Sequence, residues 1–328
     1  MAIVCAGSIA FDYLMEFPGK FRDNIMPGHL ENISLSFLVD NMTKLRGGVA
    51  PNIAYTLARL GSRPIVLGTV GTDAGEYIDW LDQQGVDTRF MRVIPNLFTA
   101  SFFANTDIEN NQICSFYAGA MAEARHLELS EMPRSALDLI VVSPNDPKAM
   151  DNHIREAKAL GIPVCYDPGQ QVARSDPSEL KYGIENADLF FSNEYEWELI
   201  QKHTGVQSDE IVKKVPIVVT TLGREGARIT AGEEIIHIPV VMENKSVDPT
   251  GVGDAFRGGF LRGFELGLDL LSCGQMGSLA ATYCLESKGP QGQDYSLEDF
   301  ALRFNQTFTN PKVVPTLFSN RSMEKING

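Results

Sequence analysis

The residues best suited to chemistry stand together in Val247-Asp248-Pro249-Thr250-Gly251-Val252-Gly253-Asp254-Ala255-Phe256-Arg257-Gly258-Gly259-Phe260. From Val252, small or apolar residues recur at helical spacing through Ala255, Phe256, Gly259, Phe260 and Gly263 to Leu266, so the stretch reads as a loop that becomes a helix. Pro249 cannot continue a strand, and Thr250 is the expected N-cap. Gly251 and Gly253 then fall in the first turn, where N–H groups lack intrahelical partners and the positive dipole end favours an anion. Asp254 puts a carboxylate in that same turn. An acid beside an anion site suits removal of a proton from a nucleophile that attacks the bound anion. Taken alone, such an acid more often only complements the helix dipole.

A second glycine turn, Arg46-Gly47-Gly48-Val49-Ala50-Pro51-Asn52, lies near the other end of the chain. Its glycines would let backbone approach a ligand closely, and Pro51 suits the first turn of a helix running on to Gly61. The same pattern also fits a plain strand-to-helix connection.

The elements that must hold these turns alternate between strand and helix. Ala2–Ala6 is a short apolar run ending in Gly7-Ser8 and reads as a buried strand. Gly7 is not followed by the glycine spacing of a dinucleotide-binding turn. Strands are expected at 65–70, 137–143, 162–166, 188–191 and 217–221, with a hairpin at 227–240. Helices are expected at 74–84, 147–160, 194–203, 251–266, 272–286 and near 297–305, with fraying over 319–328. This order argues for an α/β protein with a mainly parallel sheet. Two strand-like inserts interrupt it, Phe11–Leu45 and Phe98–Tyr117. In the first, Ile33, Leu35, Phe37 and Val39 alternate with Ser34, Ser36 and Leu38, which predicts a strand with one apolar face. In the second, strands at 98–105 and 112–117 flank an Asp107–Asn111 turn. Paired together, the inserts would form a small lid over the strand C-termini, where open α/β sheets bind ligands.

Composition narrows the partners. The net charge of −14 disfavours nucleic acid and anionic membranes, which call for basic patches. No apolar run reaches the ~20 residues of a membrane span. The five cysteines form no C-x-x-C pair, so buried reduced thiols in a cytoplasmic protein are expected. The start of the chain lacks the basic segment of a signal peptide. The five histidines are scattered without metal-ligand spacing.

Four motifs in order are similar to those of the ribokinase, or phosphofructokinase-B-type, kinase family. They are Gly47-Gly48-x-x-x-Asn52, Asn193-x-x-Glu196, Thr221-Leu222-Gly223 and Asp248-Pro-Thr-Gly251-Val-Gly253-Asp254. Ala6–Asp12, Ser34–Asp40, Ser115–Met121, Asp167–Gln171 and Glu194–Trp197 further resemble the family's bacterial adenosine kinases. The likeness runs from the first residue to about residue 290. Pro249 and Val252 depart from the threonine and alanine usual in the last motif.

The resemblance implies a three-layer α/β/α sandwich with a mainly parallel sheet. Residues 1–11, 46–97 and 118–328 would form the large domain, and 12–45 with 98–117 the small β lid. It implies ATP-dependent phosphorylation of a purine nucleoside 5′-hydroxyl, adenosine to AMP, as in purine salvage; a sugar kinase of the same fold, or a guanosine or inosine kinase, is the alternative. On this likeness Asp254 is the general base, and the N–H groups of Gly251, Val252 and Gly253 form the anion hole. Asp12, Gly48 and Asn52 approach the ribose, Phe102 and Phe116 sandwich the purine, and Ser8, Ser36 and Gln171 add polar contacts. Asn193, Thr221, Gly223 and Gly253 lie along ATP, and Glu196 holds Mg²⁺ through water. The Asn193-x-x-Glu196 pair also has the form of a capping box. A monovalent cation, K⁺, would sit near Asp248 and Ser287–Gly289. An uncovered apolar face on Ile33–Val39 would pair two copies through their lids as a homodimer.

Overall fold

A computed structural model describes residues 1–25 and 35–324. Its strands are β1 (Ile3–Ala6), β2 (Ala10–Glu16), β3 (Asn41–Gly47), β4 (Ile65–Val70), β5 (Met91–Val93), β6 (Ala100–Thr106), β7 (Gln112–Tyr117), β8 (Leu139–Val142), β9 (Val164–Tyr166), β10 (Leu189–Asn193), β11 (Ile217–Thr221), β12 (Ala227–Ala231) and β13 (Glu234–Ile238). The helices are α1 (Phe21–Asn24), α2 (Val49–Arg59), α3 (Gly75–Gln83), α4 (Pro147–Leu160), α5 (Pro177–Glu185), α6 (Glu194–Thr204), α7 (Ser208–Lys214), α8 (Val252–Glu265), α9 (Leu270–Leu285), α10 (Leu297–Thr307) and α11 (Val313–Glu324).

Nine strands form one sheet in the order β13-β12-β11-β10-β9-β8-β1-β4-β5. It is parallel from β11 to β5, and β12 and β13 run antiparallel at one edge. Its central strands are continuous apolar runs because both faces are covered. Along β1, Val4 and Ala6 enter one core with residues of α4 to α7. Ile3 and Cys5 point the other way, into a second core with residues of α2, α3, α8 and α9. Alternation at period two thus feeds two helical layers from one strand. Each large side chain buried this way contributes roughly 1.5–3 kcal/mol.

A smaller sheet has the order β3-β2-β6-β7. Its middle pair, β2 with β6, is parallel and joins the two sequence inserts. Strand β7 runs antiparallel to β6 and forms a free edge.

The observed elements depart from the expected ones in a few places. Ile33 and Ser34 lie outside the described residues, and Leu35–Val39 is irregular chain rather than strand. Leu35 and Leu38 are 41% and 83% exposed, so the alternation there is not matched by a covered face. The lid strand of this insert is Asn41–Gly47 instead. Helix α11, for which no element was expected, carries Val313 and Leu317 into a third core with α9 and α10; of the tail expected to fray, residues 319–324 are helical and 325–328 lie outside the described residues. Cys5, Cys165, Cys273 and Cys284 are buried as expected, whereas Cys114 on β7 is exposed; none is in a disulfide. Among the described residues no helix is long and apolar enough to cross a membrane.

Candidate active site

The turn entering α8 is built by glycine. Gly251, not Thr250, is the N-cap, and it adopts φ 79° in the left-handed region. A Cβ there would lie 2.3 Å from Cβ of Pro290, so two independent constraints exclude a side chain. Thr250 is drawn out of the cap because its N–H donates to Asp248 Oδ1 at 2.9 Å. The other oxygen of Asp248 accepts the Gly289 N–H at 2.9 Å and staples the 287–289 loop to this turn. Within the expected anion hole, the Val252 N–H reaches the Pro249 carbonyl at 3.4 Å, a long bond. The Gly253 N–H has no backbone acceptor among the described residues. A phosphoryl oxygen would find that donor free at the positive end of α8.

Asp254 follows directly. Its Oδ2 accepts Nδ2–H of Asn52 at 2.8 Å, which joins the two glycine motifs across 202 residues of chain. Burial pushes its carboxyl up to about 7. The negative charges of Asp167 and Glu196 act in the same direction, and Arg257 and the Asn52 hydrogen bond oppose them. A carboxylate titrating there holds no proton for much of the time near neutrality, yet binds one readily, which suits a general base.

Arg257, one turn further along α8, is the buried countercharge. It is 6% exposed and pairs with Asp167, itself 1% exposed. One Nη donates to Asp167 Oδ1 at 2.9 Å and the other to the Gly253 carbonyl at 3.0 Å. It therefore ties the first turn of α8 to the end of β9. Sequence reasoning passed over this pair. The available signal was an arginine on an otherwise small and apolar helix face, three residues after the acid.

The first glycine turn packs just as closely. Gly48 has φ 96°, and a Cβ on it would lie 2.4 Å from the Ser8 carbonyl oxygen. Ser8 accepts the Val49 N–H through Oγ at 3.3 Å, so its hydroxyl is partly used in capping α2. A Cβ on Gly47 would meet Asp12 Oδ2 at 2.8 Å, which shows how near the backbone lies to that carboxylate. Asn52 is held on its other side by Gln291, whose Nε2 donates to Asn52 Oδ1 at 2.7 Å.

The small sheet arranges three of the expected residues in one row. Register pairs Asp12 with Leu45 on β3 and with Phe102 on β6, and Phe102 with Phe116 on β7. Directly paired residues share a sheet face. Leu45, in the same row, lies against Gly289, so this face looks toward the loop beside α8. Phe102 is half-buried and Phe116 is 46% exposed, so neither ring is consumed by a core. Burial, aided by the charge of Asp248, pushes the Asp12 carboxyl up to about 6. Gln171 lies buried beyond Asp167 with Oε1 unpartnered, and Gln170 is exposed. Ser36 falls on the exposed irregular stretch, not on a lid strand, and no described contact joins it to the others.

Asn193 and Thr221 are register partners at the ends of β10 and β11. Asn193 also caps α6: its Oδ1 accepts the Glu196 N–H at 2.8 Å, and Glu196 Oε2 accepts the Asn193 N–H at 2.8 Å. Burial, with the charge of Asp167, holds the Glu196 carboxyl above its usual range. Gly223, at φ 57°, begins the exposed turn after β11. Among the described residues no group of three or more His, Cys, Asp or Glu is placed to hold a metal directly. Asp167, Glu196 and Asp254 nevertheless set three acids against the single Arg257, an excess of negative charge that fits a hydrated cation brought in with a nucleotide.

The family model for pfkB family carbohydrate kinases matches residues 23–295. A nucleoside kinase of Methanothermobacter thermautotrophicus is 31% identical over 298 residues, covering 88% of this chain and 91% of its own. The structure of Burkholderia thailandensis nucleoside kinase in complex with inosine superposes with a TM-score of 0.83 at 37% identity, covering 94% of this chain and 98% of that one. The same enzyme is also known in complex with ADP-inosine. Adenosine kinase from Sinorhizobium meliloti gives a TM-score of 0.73 at 21% identity, over 94% of this chain and 99% of that one, a likeness of fold alone.

Proposed function

We propose, from the premise that the chain belongs to the pfkB family of carbohydrate kinases, that this kinase transfers the γ-phosphoryl group of ATP to the 5′-hydroxyl of a purine nucleoside. The observation that carries the reading is the row Asp12–Phe102–Phe116 on one face of the small sheet, because a free sugar needs a diol-binding carboxylate but no open aromatic pair. Adenosine is the substrate expected from sequence. The nucleoside kinases among the similar proteins, one of them holding inosine, support the broader class of purine nucleosides.

Asp254 takes the proton of the 5′-hydroxyl as its oxygen attacks the γ-phosphorus and the bond to ADP breaks. The Gly253 N–H, with those of Gly251 and Val252, meets the charge that develops on the phosphoryl oxygens. Asp12 accepts from the ribose diol, with Gly48 and Asn52 against the same sugar, and the two phenylalanines flank the base. Asn193, Thr221 and Gly223 line the ATP side. Mg²⁺ carried on the phosphates supplies charge neutralisation, and Glu196 would hold it through water. K⁺ would join the segments that Asp248 staples together. The four-stranded sheet acts as the lid domain. The reaction belongs to purine salvage in the cytoplasm.

A coupled assay of the purified protein with ATP and adenosine, inosine, guanosine, ribose or fructose tests this. Turnover of at least one purine nucleoside is expected. Turnover of ribose or fructose alone would overturn the reading in favour of a sugar kinase.

A further inference from the structure

A buried chain of hydrogen bonds runs from the root of the lid to Asp254. The Tyr77 hydroxyl on α3 donates to the carbonyl of Gly47, the last residue of β3, at 2.8 Å. Gln291 Nε2 donates to the Tyr77 oxygen at 2.6 Å and to Asn52 Oδ1 at 2.7 Å. Asn52 Nδ2 donates to Asp254 Oδ2 at 2.8 Å. Tyr77, Asn52 and Gln291 are 1%, 5% and 8% exposed.

One atom fixes the direction of every bond in this chain. A carbonyl oxygen only accepts, so at Gly47 the phenol must donate. Burial holds the Tyr77 phenol far above its usual range, so it keeps that proton. Its single O–H is then used, and toward Gln291 its oxygen can only accept. Gln291 must therefore present its NH₂ end. Facing a donor, Asn52 must present Oδ1, and its own NH₂ is turned onto Asp254. The opposite amide orientation would bring Asn52 Oδ1 against the carboxylate. Gln291 keeps its orientation although its Oε1 is left buried and unpartnered.

We propose that Gln291 is a positioning residue that, through a chain polarised at the lid-root carbonyl of Gly47, fixes the Asn52 amide with its N–H on Asp254. One carboxylate oxygen is thereby occupied, and the other is left for the proton of the acceptor hydroxyl. The inference rests on the proposed role of Asp254 as base. The hydrogen bonds come from α2, α3 and the loop after α9, three elements that among the described residues share no other polar link to this carboxylate.

The test uses the full chain with two substitutions. Gln291→Met keeps the length of the side chain and removes both donors; Tyr77→Phe removes one oxygen. The first readout is the ¹³C carboxyl titration of Asp254 in the ligand-free protein, assigned with Asp254→Asn. The charged groups around that carboxyl are Arg257 on its own helix, Asp167 after β9 and Glu196 on α6, and all are unchanged in both variants. The Cys284 thiol on α9, which burial pushes up to about 12, stays neutral. The N–H of Asn52 favours the ionised carboxylate, so its loss raises the titration midpoint by about one pH unit in Gln291→Met. Tyr77→Phe moves it the same way by less. The second readout is kinetics with ATP and inosine: kcat at pH 7 falls about fivefold in Gln291→Met, the loss of ionised Asp254 that a rise of one pH unit from about 7 brings. An Asp254 midpoint that stays put in Gln291→Met and Tyr77→Phe would overturn the inference. If Gln291→Met does not fold, the midpoint in Tyr77→Phe decides alone. If the wild-type protein phosphorylates no nucleoside but the midpoint still moves, the proposed function fails and the positioning role stands.

Discussion

On the proposed reading Asp254 is the residue on which most of the chemistry converges, and its environment then makes opposite demands on rate and on stability. A raised carboxyl means that the folded protein binds a proton there more tightly than the unfolded chain, whose aspartate titrates near its ordinary value. The stabilising contribution is therefore complete below pH ~4, is lost as pH rises toward 7, and stays lost above it. With Asp254 as the proposed base, activity is expected to run the other way, because only the ionised form can accept a proton. Asp254→Asn should cut kcat by about 10²–10⁴-fold and, at pH 8, raise the melting temperature by about 1–2 °C, the equivalent of roughly 1 kcal/mol in a chain of this length. Phosphoryl-transfer assays and calorimetry on the same preparation check both signs. A substitution that lowered both rate and melting temperature would show that the carboxylate is a structural ligand rather than a strained base. At this scale the sequence yields the two glycine turns and their acid, because those motifs are contiguous. Arg257 lies inside the same stretch, but its partner Asp167 is 90 residues away, so nothing local marks the pair. Gln291 carries no local signal, since its partner Asn52 is 239 residues away and only the fold brings them together.

At the scale of elements, legibility follows the strength of local punctuation. Helix α4 was expected at 147–160 and is found at Pro147–Leu160, because Asp146 caps it ahead of a proline and Gly161 ends it in the left-handed region. Strand β11 agrees equally well, as an apolar run that ends at a glycine turn. Strand β2, Ala10-Phe-Asp-Tyr-Leu-Met-Glu16, carries weaker local punctuation: Asp12 and Leu14 share one face, so the polar and apolar positions do not separate cleanly between the two faces. Helix α11 was missed because its apolar residues do not gather on one strong stripe, and tertiary packing against α10 decides its state. The turn before α8 is the element whose shape matters most. Gly251→Ala must hold alanine at positive φ, costing about 1–3 kcal/mol, and must also displace Pro290. The expected outcome is a lower denaturation midpoint together with a loss of kcat larger than that of a distant substitution of equal stability cost. Urea titration and initial rates, compared with a conservative core variant such as Ile229→Val, check it. Equal losses for the two at matched stability would remove the special role of the turn.

For the whole molecule, the smaller sheet is the part that neither insert can make alone. Its second face carries Met42, Phe103, Ile113 and Tyr117, which are between 37% and 60% exposed, and Tyr13 stacks on Phe103 with ring centroids 4.9 Å apart. The free edge of β7 borders the same face. An unpaired strand edge beside an exposed apolar face is the usual seat of a partner. The homodimer expected from the sequence would then form here and not over Leu35–Val39. Sedimentation velocity at micromolar concentration should show a dimer, and Ile113→Lys with Phe103→Glu should give a monomer whose Asp12 face is untouched. A wild-type protein that sediments as a monomer would remove this assembly. The sequence could expose the two inserts but not their register, because a parallel pair formed between distant segments has no local signature. That register has a metrical consequence. Strands in a sheet stand about 4.8 Å apart, so Asp12, Phe102 and Phe116 are graduations on a ruler that side-chain exchange can relabel but no small movement can rescale. On the proposed reading, acceptors are sorted by the length between diol and base before any edge of the base is read. An insertion of one residue in β2 would turn Asp12 to the opposite face and erase that measure in a single step.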